Sequence, residues 1–136
     1  MTLNSLATYF YSSKHSRWIM HFQDAKNLYD FIKKNDIKNI LDLGAGIGMS
    51  ASFMALAFKD KGVEGHVTSI EQFDKCVKIA NELIPEELKK YITIHKSGTS
   101  VTQFKEIPYQ PFSIYDTVPK GDYNLIVVDG PGAWKE

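Results

Sequence analysis

Glycine and acidic residues gather at three points of this 136-residue chain where strands would end. The first is Asp42-Leu43-Gly44-Ala45-Gly46-Ile47-Gly48-Met49-Ser50. Glycine adopts backbone conformations that other residues resist, and its missing side chain lets a ligand reach the main chain. A helix starting nearby would add unpaired N–H groups at the same place. The second point is Glu71, followed by Gln72 and Phe73. A carboxylate can accept two hydrogen bonds from a cis-diol, and an acid this far beyond a glycine loop suits ribose hydroxyls. The third is Asp129-Gly130-Pro131-Gly132, directly after an apolar run. A dinucleotide site needs G-x-G-x-x-G or its alanine variant. Counted from Gly44, the last position of that pattern is Met49, so the dinucleotide fingerprint fails.

The elements that must carry these residues follow from hydrophobic spacing. Trp18, Phe22, Ala25, Tyr29 and Ile32 form one face of an amphipathic helix that ends near Lys33-Lys34-Asn35. Asn39 to Leu43 reads as a buried strand, and Ser50 to Lys61 as a helix ended by Gly62 and Gly65. His66 to Ile70 is a second strand, closed by Glu71. Asp74 is the expected cap of a helix that buries Cys76 or Val77, Ala80, Leu83 and Ile84. Pro85 opens a helical turn through Leu88, and Tyr91 to His95 is a third strand. Tyr123 to Val128 is the fourth and clearest strand. The stretch from Thr99 to Gly121 carries Pro108, Pro111 and Pro119 with aromatics at Phe104, Tyr109, Phe112 and Tyr115. A short helix over Val101 to Glu106 and an extended segment from Phe112 to Tyr115 are expected there. Continuous apolar strands alternating with helices point to an α/β parallel sheet with helices on both faces.

Acid-x-Gly-x-Gly-x-Gly after a first strand resembles the first motif of class I, Rossmann-like methyltransferases. The resemblance runs from about Trp18 to Gly132. It implies S-adenosyl-L-methionine as cofactor and methyl transfer as the activity. It places Gly44, Ala45, Gly46 and Gly48 under the amino-acid end of that ligand, with Asp42 near its ammonium group. An acid suits a cationic ligand better than a pyrophosphate. The resemblance gives Glu71 to the ribose, Gln72 and Phe73 to the adenine side, and Ser97 and Gly98 to the adenine edge. Phe73 is equally readable as a core residue, and Lys96-Ser97-Gly98-Thr99 as an ordinary polar loop without the family's acid. Asp129 falls where donor and acceptor meet, and is both a cofactor-binding and the one catalytic candidate. Asp-Gly-Pro is closer to small-molecule O-methyltransferases than to the Asn/Asp-Pro-Pro-Tyr/Phe pattern of many nucleic-acid amino-methylating enzymes. Tyr115-Asp116 resembles some relatives more loosely.

The family sheet has seven strands in the order three, two, one, four, five, seven, six. Only the order 3-2-1-4 is legible here, so residues 1–136 read as a single cofactor-binding domain without the C-terminal strands, with 1–16 as an N-terminal segment. A fragment of a longer enzyme is the favoured explanation. The alternative is a non-catalytic module that binds the nucleoside or a partner. The fourth strand would lie at an edge, which favours pairing, so a homo-oligomer through that edge is one expected partner and a small-molecule acceptor the other.

Composition limits the remaining classes. Sixteen basic and sixteen acidic residues give zero formal charge, so bulk nucleic-acid binding is not expected. No run approaches the roughly 18 apolar residues of a membrane span, and a lone Cys76 allows no internal disulfide. A cytoplasmic protein is the default. His15, His21, His66 and His95 are not spaced as metal ligands, and no metal site is expected. His95 stands nearest the site, and Cys76 reads as an inert core thiol.

Overall fold

The computed structural model describes residues 1–16, 19–103, 105–106 and 111–132. Its helices are α1 (Leu3–Tyr11), α2 (Phe22–Lys34), α3 (Met49–Lys61) and α4 (Asp74–Leu83), with a 3₁₀ segment over Glu86–Tyr91. Its strands are β1 (Asn39–Leu43), β2 (His66–Glu71), β3 (Ile92–Lys96), β4 (Thr99–Gln103), β5 (Pro111–Tyr115) and β6 (Leu125–Val128).

Four strands form one parallel sheet in the order β3-β2-β1-β6. This is the order expected from the sequence, with β6 as the fourth strand. Ile40, Val67, Ile92 and Leu125 lie opposite one another across the sheet and pack in one cluster with α2 and α3. Side chains alternate along a strand, so Ile126 and Val128 turn to the other face, where they are 55% and 73% exposed. Helices were expected on both faces. Among the described residues, the helices of the two core clusters serve the Ile40 face.

Helix α3 is the centre of the core. Every residue from Met49 to Phe58 is buried, as befits a helix without a polar stripe. Alanines and serines at 50, 51, 52, 55 and 57 let neighbours approach it closely. It ends at Gly62, whose left-handed φ of 70° allows its N–H to bond back to Phe58 and Lys59 carbonyls.

The N-terminal segment is a helix of this domain rather than an appendage. Thr2 and Ser5 cap α1 reciprocally, at 2.9 and 3.1 Å. Leu6 and Phe10 sit fully buried in the cluster that contains Phe53 and Leu56 of α3. Tyr9 adds a 2.6 Å hydrogen bond to the Leu83 carbonyl.

Three boundaries correct the sequence reading. Helix α2 starts at Phe22 behind a His21 cap, and Trp18 lies outside the described residues. Asp74 does not cap α4; Phe73 holds the cap position and Asp74 enters the first turn, where its charge still favours the helix dipole. The helix expected over Val101 to Glu106 is absent, because Val101 to Gln103 belong to β4, paired antiparallel with β5. Thr99, Val101 and Thr102 are β-branched and favour the strand; Phe104, Pro108 and Tyr109 lie outside the described residues. The expected extended segment over Phe112 to Tyr115 is β5. No helix among the described residues is long and apolar enough to cross a membrane.

If α1 is integral to the core, Phe10→Ala lowers stability by about 3–5 kcal/mol, the usual loss for a buried phenylalanine. Urea unfolding measures it. A loss below about 1 kcal/mol, the range of ordinary surface changes, would show that α1 is peripheral.

Candidate functional site

The site forms where β1, β2 and β6 end. The chain leaves β1 at Gly44, and the N–H groups of Gly44 and Ala45 both reach the Ile70 carbonyl at 3.0 Å. Gly44 has φ of 106°, and a Cβ placed there would lie 2.8 Å from the Asp129 main chain. No side chain fits between the turn and the end of β6. Gly48 begins α3 at φ of 93°, with Ile84 2.7 Å from where its Cβ would be. The missing side chain at Gly48 lets the start of α3 pack against Ile84.

Glu71 is buried at the end of β2. Its Oε2 accepts the Gly46 N–H at 2.7 Å, and its Oε1 accepts those of Gln72 and Phe73 at 2.8 and 3.1 Å. A carboxylate offers about four acceptor positions. Glu71 therefore fixes the glycine loop and its own turn, and keeps one position on Oε2.

Asp42 lies beneath the loop with no exposed surface. Ser69 and Ser50 donate hydroxyls to its Oδ2 at 2.6 and 3.0 Å, while Oδ1 has no partner among the described residues. Burial pushes its carboxyl up to about 6, against the two serine hydrogen bonds, and the charges of Asp129 and Glu71 add to the rise. Asp129 stands at the open end. Partial desolvation, then the charge of Asp24, holds its carboxyl above the usual carboxylate range.

A pocket opens over these residues. Gly44, Ala45, Gly46, Glu71, Gln72, Phe73 and Asp129, all singled out in the sequence, line it together. Asp42, Gly48, Ser97 and Gly98 do not. Ser97 is spent on the polypeptide: its hydroxyl donates to the Gly98 carbonyl at 2.8 Å and accepts the Thr117 N–H at 2.9 Å. Gly98 packs against Asp116. His95 is not in the lining either, and no cluster of three metal-ligating side chains occurs among the described residues.

Sequence reasoning missed Ile19 and Met20 before α2, Met49 on α3, and Tyr115 on β5, all of which reach the pocket. Cys76, read as an inert core thiol, is buried and also lines it. Only Tyr115 had a signal, its pairing with Asp116 before the last strand. Among the described residues, the charged side chains of the lining are Glu71 and Asp129, with no lysine, arginine or histidine.

No protein-family model and no curated protein matches the chain. Solved structures do. An O-methyltransferase from Bacillus cereus in complex with SAH shares 20% identity over 69% of this chain and 42% of that one, at a TM-score of 0.54. The SAH-bound methyltransferase of Podospora anserina shares 14% over 68% and 41%, at 0.55. An O-methyltransferase from Streptomyces achromogenes involved in tomaymycin synthesis, in complex with SAM, shares 18% over 69% and 41%, at 0.54. The chain shares its Rossmann-like α/β fold with these methyltransferase structures. The chain spans about two fifths of the length of these structures.

Asp42 gives a pH test of this geometry. Its carboxyl rises from 3.8 to about 6 on folding, so the folded chain holds the proton more tightly than the unfolded chain. The resulting stability is fully present below about 3.8 and is lost as pH rises through about 6. Urea unfolding of wild type and Asp42→Asn at about pH 4 and 7 reads it. The wild type gains on the variant at the lower pH, by up to about 3 kcal/mol. A difference that does not move with pH would show that Asp42 takes up no proton in this range.

Proposed function

We propose that this chain holds S-adenosylmethionine and serves methyl transfer to a small-molecule acceptor. The observation that carries the reading is the charge of the pocket. Its glycine loop allows close main-chain approach, and the charged side chains that line it among the described residues, Glu71 and Asp129, are both acids. Such a lining repels a pyrophosphate and attracts a sulfonium or ammonium group. The likeness to structures that contain SAH and SAM supports the same ligand.

In this reading the residues divide the ligand between them. Glu71 uses the remaining position on Oε2 for one ribose hydroxyl while it keeps the loop in place. Gly44, Ala45 and Gly46 present main chain to the amino-acid end. Gln72 and Phe73 border the adenine. Asp42 acts through the loop it supports, with Oδ1 free for a water beneath the ammonium group. Ser97 and Gly98 bear on the adenine edge by fixing the base of the β4–β5 ribbon.

The sulfonium supplies an electrophilic methyl group, so the protein needs to align the acceptor, exclude water and take up a proton. Asp129 is the group for the last task. Its raised carboxyl makes it a stronger base than an ordinary aspartate, and it stands at the pocket's open end. A bound sulfonium would give up its methyl group and leave as the neutral thioether, and Asp129 would take the proton that the acceptor oxygen loses. A small hydroxylated molecule is the acceptor class that Asp-Gly-Pro and the O-methyltransferase neighbours favour.

Calorimetric titration of the chain with S-adenosylmethionine, S-adenosylhomocysteine and NAD tests the reading. The first two bind and NAD does not. Tighter binding of NAD, or no binding of either adenosyl ligand by folded protein, overturns the proposal. Glu71→Gln removes charge-assisted hydrogen bonds worth about 1.5–3 kcal/mol and weakens both adenosyl ligands about ten- to 150-fold. Unchanged affinity in that variant would take Glu71 out of the site.

A further inference from the structure

The β4–β5 ribbon delivers a residue that no glycine or acid motif accounts for. Tyr115, at the end of β5, lines the pocket beside Glu71, Asp129 and Gly130. Its hydroxyl occupies the space that a side chain on Gly130 would need. A Cβ there would lie 2.8 Å from Tyr115 Oη and 3.1 Å from Gly44 Cα. The hydroxyl therefore stands where the glycine loop meets the end of β6. Glu71 lies on the opposite side of β1, at the end of β2. Among the described residues the Tyr115 hydroxyl makes no hydrogen bond.

The phenol is a donor and not a base. Burial, then the charges of Glu71, Asp42 and Asp129, hold it well above the usual tyrosine range, so it stays protonated at any working pH. Other hydroxyls near the loop are already engaged, since Ser50 donates to Asp42. An amino-acid-bearing nucleoside presents one group that this acidic pocket repels, its carboxylate. The ammonium and sulfonium are attracted by Glu71 and Asp129, and the ribose belongs at Glu71. A carboxylate at the glycine-loop end needs donors, and Tyr115 Oη is an uncommitted side-chain hydroxyl at that end.

We propose that Tyr115 is a specificity-determining residue that donates a hydrogen bond to the carboxylate at the amino-acid end of the bound nucleoside. The pocket then selects adenosyl ligands that carry the carboxylate over those that lack it. This rests on the reading of the pocket as an S-adenosylmethionine site.

The test pairs Tyr115→Phe with two thioethers, both without the sulfonium charge, that differ in one group. S-Adenosylhomocysteine carries the carboxylate, and S-adenosyl-3-thiopropylamine is the same molecule without it. Phenylalanine keeps the ring and removes only the hydroxyl, and thermal unfolding of the variant checks that the fold is kept. Calorimetry should show S-adenosylhomocysteine weakened about ten- to 150-fold by the substitution, with the decarboxylated ligand unchanged. The gap between wild type and variant should also stay constant from about pH 6 to 9, as the phenol remains protonated there. Equal weakening of both ligands would mean that Tyr115 only shapes the wall. An unchanged affinity for S-adenosylhomocysteine would mean no contact at all. Either result overturns this assignment while wild-type binding keeps the donor site intact. Wild-type protein that binds neither thioether would overturn the donor site itself.

Discussion

Everything at the site depends on the absence of a side chain at Gly44. Strand β1 has a neighbour on each side, and the chain must leave its end without displacing either. The turn is held to β2 by two N–H groups on the Ile70 carbonyl, and lies so close to β6 that a Cβ would sit 2.8 Å from the Asp129 main chain. The loop therefore runs flat across the ends of the strands and leaves its backbone open to the pocket. A larger residue would have to lift the loop from β6. Because Gly46 donates to Glu71 and the Asp129 N–H reaches the Leu43 carbonyl, the lift would carry to both acids.

Adjacent strands end in acids, and the fold treats each acid differently. Asp42 is withdrawn from solvent and given two serine hydroxyls, which do not offset its burial. Glu71 is satisfied mainly by backbone N–H groups, which bear no net charge. Asp129 keeps contact with the opening. Among the described residues the pocket lining holds no basic side chain to neutralise them. Like charges converging in a partly buried space raise one another's proton affinity, and a bound cation relieves that mutual repulsion. This is why the sign of charge, rather than the shape of the glycine loop, separates the reading here from a dinucleotide site.

What could be read in the sequence was local. The glycine turn, Glu71 and Asp129 each announce themselves within a few residues, since strand ends and tight turns are set by neighbours in the chain; the strand order came from the resemblance to the methyltransferases. Helix α1 was also legible in principle. Leu3, Leu6, Ala7 and Phe10 have helical spacing, but nine residues give a weak period. Burial against α3 supplies what the short helix lacks in its own right. Ile19 and Met20 were not legible, and Tyr115 showed only in its pairing with Asp116. Each reaches the pocket from a connection whose path is fixed by distant packing. For Ser97 and Gly98, position alone suggested the ligand, and their partners in the ribbon could not be seen from sequence.

The ribbon explains how such a connection can place a side chain accurately. A parallel strand pair needs a long crossover, and the one from β3 to β6 passes β2 and β1. A helix would satisfy its own backbone in making that passage; here two antiparallel strands do so. Their alternation gives Tyr115 to the pocket while Ile114 stays 42% exposed. The ribbon is tied at its base. The Asp116 N–H reaches the Gly98 carbonyl at 2.9 Å, Thr117 is bound to Ser97, and the Asp116 carboxylate takes the Ser100 hydroxyl. Tyr115 precedes those ties by one residue. Its ring is therefore set by the end of β3 that carries Ser97, and through the Glu71 carbonyl, which accepts the Ser97 N–H, by the end of β2. The wall of the pocket and its acid are thus held by one continuous set of hydrogen bonds, so a shift in either would be felt by the other.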